Sequence, residues 1–265
     1  VTPTERALEP RRVALVTGAS RGIGRAIAAA LASAGHDLAL VARDRARLEV
    51  AADAIRAATG RRTATLAFDL GAAGAAERIL AACAAQLGPP SVLVNNAGTA
   101  PSARFADTDD ATLDQVLALH VRAPFALLRA ALPGLRAAPP GVAVQVASSA
   151  GLRGFPFTAA YTAAKHAMVG LSRALCAEFA REPDLSIYAV CPGFVDTEIT
   201  RSAAAAVAAR GRSSAAEALA AMAAMNRIGR MHAADEVAAA VVRLVLERPA
   251  GCVLDLDQDP PAFVP

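Results

Sequence analysis

Short, unbroken apolar runs alternating with longer amphipathic stretches most restrict what this chain can fold into. The apolar runs at 12–16, 37–42, 63–68, 92–95, 142–147, 186–191 and 252–256 read as strands. Residues 22–34, 45–58, 75–87, 112–135, 159–180 and 234–246 carry the spacing of helices, and the alanine-rich stretch 197–225 predicts a helical flap. Strands that lack polar alternation are covered on both faces, and helices between them supply the cover. Right-handed crossovers then give a doubly wound sheet. The expected architecture is an α/β fold: one Rossmann-type domain over 1–265 with a seven-stranded parallel sheet and helices on both faces. Residues 1–11 form a tail in this reading, and 197–230 a substrate-binding flap. The pairs Pro89-Pro90, Pro139-Pro140 and Pro260-Pro261 fall between elements, and no repeat of fixed period is present.

Composition narrows the function classes. A hydrophobic share of 55% allows a sizeable core, although much of it is alanine, which buries little area per residue. The net charge is +3, and the arginines are scattered without interleaved aromatics, so nucleic acid is not an expected partner. Cys83, Cys176, Cys191 and Cys252 contain no C-x-x-C pair and read as small buried thiols of a reducing compartment. No apolar run reads as long enough to span a bilayer and residues 1–12 lack a signal-peptide pattern, so the expectation is a cytoplasmic protein without a membrane partner.

The first strand runs into Thr17-Gly18-Ala19-Ser20-Arg21-Gly22-Ile23-Gly24, and a helix follows. Glycines there let the backbone turn tightly and approach a pyrophosphate, while the helix N-terminus offers free N–H groups. A site that prefers NAD carries a carboxylate about 20 residues further on for the ribose hydroxyls. Here Ala42 ends the second strand, Arg43 follows it, and Arg21 lies inside the loop. Two guanidiniums suit a 2′-phosphate dianion, so NADP(H) is favoured over NAD(H), with Asp44 pairing outward.

Tyr161 and Lys165 stand four apart on a long predicted helix and share a face, and Ser148 follows the strand 142–147. The carboxyl ends of strands are where doubly wound sheets hold ligands. T-G-x-x-x-G-I-G, Asn95-Asn96-Ala97-Gly98, Ser148 to Gly151 as S-x-x-G, Y-x-x-x-K and Pro192-Gly193 occur in that order over about 12–256. In this the chain resembles the short-chain dehydrogenases/reductases, in particular ketoreductases of the 3-oxoacyl-carrier-protein reductase kind. The resemblance implies that Tyr161 is the general acid for carbonyl reduction, that Lys165 lowers the tyrosine pKa and holds the nicotinamide ribose, and that Ser148 binds the substrate oxygen. It places Asn96, Ala97 and Gly98 by the adenosine ribose, Asp69 and Leu70 at the adenine, and Pro192, Gly193, Val195 and Thr197 at the nicotinamide. No metal is implied.

Two departures from that family stand out. His120 occupies the position of the family's catalytic asparagine; an imidazole charging near Lys165 predicts a steeper acidic limb of activity. After Leu254 the chain reads Asp255-Leu256-Asp257 in place of a glycine turn, which puts tetramer contacts in doubt and favours a homodimer through 112–135 and 159–180. The substrate pocket is expected from 99–104, 152–157 and the flap, with Phe155, Pro156, Phe157, Met222 and Met225 lining it for an apolar ketone. Arg104 and Arg153 are the alternative, as a grip for an anionic substrate. The leading function is NADPH-dependent reduction of a small-molecule ketone, either a 3-oxoacyl thioester or a secondary-metabolite intermediate. The alternatives are oxidative alcohol dehydrogenation and nucleotide binding without turnover.

Overall fold

The computed structural model describes residues 12–209, 211 and 214–265, so the proposed tail over 1–11 lies outside the described residues. Strands β1 (Val13–Thr17), β2 (Asp37–Ala42), β3 (Thr63–Ala67), β4 (Val92–Asn95), β5 (Gly141–Val146), β6 (Leu185–Cys191) and β7 (Val253–Asp255) are parallel. With β8 (Ala262–Val264) they form one sheet of order β3-β2-β1-β4-β5-β6-β7-β8. The order reverses between β1 and β4, and this opens a crevice at their carboxyl ends.

The inner strands β1, β4 and β5 are buried along their whole length because each face meets helices, whereas the edge strand β3 alternates buried and half-buried residues. Val16, Leu40, Val94 and Val144 pack one way, against α1 (Gly22–Ser33), α2 (Arg45–Thr59) and α9 (Ala234–Glu247). Leu15, Val41, Leu93 and Ala143 point the other way, toward α3 (Ala75–Gln86) and α5 (Ala123–Ala137). The result is a Rossmann-like α/β fold with a mostly parallel central sheet.

Several expectations need correction. The sheet has an eighth strand, β8, antiparallel to β7. Its Phe263 covers Gly251, where a Cβ would lie 2.5 Å from the ring, so a three-residue strand between prolines is held by packing more than by propensity. The predicted helix 112–135 starts earlier, at α4 (Asp110–Leu117) behind the Asp109 cap, and passes through a π-turn at Ala118–Arg122 into α5. By length and composition alone, the stretch Asp110–Ala137 is long and apolar enough to cross a membrane, contrary to the sequence reading. Here Leu127, Leu128 and Leu135 lie buried against the sheet. The flap is two helices, α7 (Glu198–Ala208) and α8 (Ala215–Met225), the second opened by a Ser214/Glu217 capping box. Finally, the four cysteines are not all free. Helix α6 (Ala159–Glu178) packs beside β7, which brings Cys176 and Cys252 to a Cα–Cα distance of 6.3 Å in a disulfide. Cys83 and Cys191 are buried thiols, each pushed up to about 12 by burial.

Candidate active site

The crevice widens into a cleft of about 1210 Å³ beneath α7 and α8. Single small-ligand pockets run to ~300–1,000 Å³, so the space fits a dinucleotide and a second molecule together. Every residue assigned to catalysis or cofactor binding from the sequence lines this one cleft: Gly18, Ser20, Arg21, Gly22, Ile23, Gly24, Arg43, Asp69, Leu70, Asn96, Ala97, Gly98, His120, Ser148, Tyr161, Lys165, Pro192, Gly193, Val195 and Thr197.

The glycine loop is forced into shape by its neighbours. A Cβ on Gly24 would sit 2.3 Å from the Gly18 carbonyl oxygen, and one on Gly18, whose φ is +67°, would meet Asn96 at 2.8 Å. Thr17 Oγ1 accepts the N–H groups of Asn96 (2.9 Å) and Ala97 (3.0 Å), which ties the end of β4 to the loop. Helix α1 then begins with no side-chain cap at Arg21 and no acidic residue in its first turn. Its orphan N–H groups face the cleft and suit a pyrophosphate. Asp44 is occupied: it caps α2 by accepting the Arg47 N–H at 3.0 Å and stands 3.5 Å from the Arg47 side chain.

At the other end of the crevice, Ser148 leaves β5 in an extended conformation and its Oγ accepts the Ala150 N–H at 3.1 Å. The turn that follows packs tightly on α6, since a Cβ on Gly151 would lie 2.7 Å from the Lys165 carbonyl oxygen. That contact sets Ser148 against the face of α6 that carries Tyr161 and Lys165. The Lys165 ammonium donates to the Val146 carbonyl at 2.8 Å and lies 5.6 Å from the Tyr161 ring centroid. Burial lowers its pKa to about 8. The sequence reading expected Tyr161 to be lowered by Lys165. Without cofactor, burial raises the phenol instead, and the Ser148 hydroxyl opposes that rise.

His120 sits in the π-turn, 1% exposed, with its ring edge-on to Tyr161 at a centroid distance of 5.5 Å. Nε2 lies 2.8 Å from the Thr99 carbonyl oxygen and 3.1 Å from the Thr99 nitrogen; the tautomer decides which contact is the hydrogen bond. The ring fills the space over Gly98, where a Cβ would stand 2.4 Å from Cε1. Burial first, and Lys165 second, pull its pKa down to about 3. The expected charging near neutral pH is therefore withdrawn.

A sequence-family profile described as short chain dehydrogenase matches residues 12–208. The chain belongs to this family. It is 37% identical over 191 residues to a short chain dehydrogenase of Pseudocercospora fijiensis, covering 71% of this chain and 61% of that one, so it spans less than two thirds of that relative. It is 36% identical over 192 residues to a monensin polyketide synthase putative ketoacyl reductase of Streptomyces virginiae, covering 72% and 73%. Among solved structures, a variant of actinorhodin polyketide ketoreductase with NADPH superposes with a TM-score of 0.85 at 31% identity over 93% of this chain and 95% of that one. The chain is thus a short-chain dehydrogenase/reductase, an oxidoreductase.

The flap side of this dehydrogenase cleft is apolar. Phe155, Pro156, Phe157, Met222 and Met225 line it as expected, joined by Phe194, Ile199 and Val207. The two arginines considered as an anion grip are engaged elsewhere. Arg104 is an exposed residue paired with Asp107 at 2.6 Å. Arg153 pairs with the buried Asp257 and donates to the Met225 carbonyl at 3.0 Å. Sequence reasoning missed Asp257, as well as Arg47 and Glu198, whose carboxylate takes Arg21 at 2.9 Å and Arg47 at 3.0 Å. Arg47 stands four residues after Arg43 and Glu198 directly follows Thr197, but their pairing across 151 residues leaves no local signal.

Proposed function

We propose that the chain is an NADPH-dependent reductase of apolar ketones, with Tyr161 as proton donor. The observation that carries this reading is the convergence of Ser148, Tyr161 and Lys165 at the floor of an apolar cleft that also contains the glycine loop. Similarity to a putative ketoacyl reductase and to a polyketide ketoreductase with NADPH supports a ketone substrate and that cofactor. Arg21 in the glycine loop and Arg43 just after β2, with Asp44 committed to capping α2, support the 2′-phosphate form. The bound cofactor supplies the hydride. Tyr161 gives its proton to the carbonyl oxygen, Ser148 donates a hydrogen bond to that oxygen as negative charge develops, and the Lys165 ammonium steadies the phenolate left behind. His120 acts as a neutral positioning group, holding the Thr99 backbone and the edge of Tyr161 in place.

The test is NADPH oxidation over a panel of alkyl and aryl ketones. Tyr161→Phe is expected to lower turnover by about 10²–10⁴-fold with cofactor binding retained. Cofactor binding without turnover on any carbonyl overturns the enzyme reading, and turnover confined to alcohols with oxidised cofactor reverses its direction. Because Lys165 holds its proton only below about pH 8, kcat/KM for reduction is expected to fall on the alkaline side of that value. A flat profile to pH 10 removes Lys165 from the role. Exposed Leu113 and Phe125 on α4 and α5 support a homodimer through the stretch 112–135 together with 159–180, checked by light scattering of the eluted protein.

A further inference from the structure

Arg21 comes from the glycine loop and Arg47 from the first turn of α2, yet both guanidiniums converge on one oxygen of Glu198, at 2.9 and 3.0 Å. Two guanidiniums on a single oxygen atom make a built oxyanion site. It lies inside the cleft, flanked by Arg43 and Asp44 at the end of β2, where the adenosine ribose is received in this class of sheet. Its present occupant is internal. Glu198 is the first residue of flap helix α7, and Thr197, which caps that helix, packs where a Gly22 Cβ would be 3.5 Å from its methyl group. The clasp therefore joins the flap to both walls of the dinucleotide groove.

We propose that Arg47 is a further ligand for the cofactor 2′-phosphate and that Glu198 is its built-in competitor. This rests on the NADPH reading above. A phosphate dianion carries more charge and more acceptor oxygens than a carboxylate, so it displaces Glu198 from Arg21 and Arg47. A cofactor without that phosphate leaves the carboxylate in place. Glu198 thus weakens NADPH binding and leaves NADH binding untouched, and it holds the flap against the glycine loop while the phosphate is absent.

The probes are adenosine 2′,5′-bisphosphate and adenosine 5′-monophosphate, titrated calorimetrically into wild type, Glu198→Gln and Arg47→Gln, with circular dichroism confirming that each variant is folded. Because both ion pairs are about half exposed, Glu198→Gln is expected to tighten the bisphosphate by about 3- to 10-fold and to leave the monophosphate unchanged. Arg47→Gln is expected to weaken the bisphosphate by about 10-fold, again without effect on the monophosphate. If wild type prefers the bisphosphate but neither substitution changes its affinity, the NADPH reading stands and the clasp is overturned. Equal affinity of wild type for the two probes overturns both. Parallel changes for the two nucleotides also overturn the clasp, since they mark a merely structural role.

Discussion

At the glycine-loop end the cleft wall is mostly backbone: Gly18 and Gly24 lie so close to each other, to Ala97 and to the Asn96 amide that neither has room for a Cβ. At the flap end the wall is held by side chains that reach far along the sequence. Arg153 meets Asp257 across 104 residues and the Met225 carbonyl across 72. Asn226 brackets Phe194, accepting its N–H at 2.7 Å and donating to its carbonyl at 2.9 Å. Arg227 donates its backbone N–H to Asp257 at 3.0 Å. The first wall depends on the absence of atoms, the second on paired charge. One serves a ligand of fixed shape, whereas the other can be respecified by changing a few side chains.

That contrast can be broken at either end. The largest effect is expected from Gly24→Ala, whose methyl group has no room against the Gly18 carbonyl. A loss of about 3 kcal/mol or more in unfolding free energy, together with loss of cofactor binding, is expected from chemical denaturation and nucleotide titration. A fully stable variant would falsify the backbone account of that wall. Next is Arg153→Met, which strands the Asp257 carboxylate, 1% exposed. The guanidinium keeps partial contact with water, so the expected cost is about 2 kcal/mol, accompanied by a raised KM for the ketone. Asp257→Asn added to Arg153→Met is expected to restore part of the loss; an additive double variant rules the pairing out.

The smallest effect, taken per pH unit, concerns His120. Its pKa falls from the ordinary value of 6.5 to about 3 in the folded protein, so the unfolded chain binds the extra proton between those values. Stability is therefore lost as pH drops from 6.5 toward 3, by no more than about 1.4 kcal/mol per pH unit for one proton. His120→Asn is expected to flatten that slope and leave the acidic limb of the rate profile superimposed on wild type. A slope identical in both proteins argues against a buried neutral ring.

What the sequence makes legible follows the same division. Largely apolar runs mark the inner strands because these are buried on both faces, and the glycine loop shows because its geometry admits few other residues. The groups at Ser148, Tyr161 and Lys165 were readable from local spacing and strand ends. The π-turn was hidden, since apolar periodicity persists on both sides of it. Strand β8 was hidden by prolines on either side of three residues. The environment of His120, the Cys176–Cys252 pair and the clasps at Glu198 and Asp257 depend on which elements become neighbours, and no local pattern encodes that.

The Cys176–Cys252 bond has a topological consequence. It closes a covalent ring across a sequence separation of 76, and both flap helices, the segment between them and α9 lie inside it. A protease that nicks the segment between α7 and α8 opens the ring without dividing the molecule. The nicked protein migrates as one species until a reductant releases the carboxyl-terminal fragment, so the connection between α7 and α8 can be cut while α6 and β7 stay tethered.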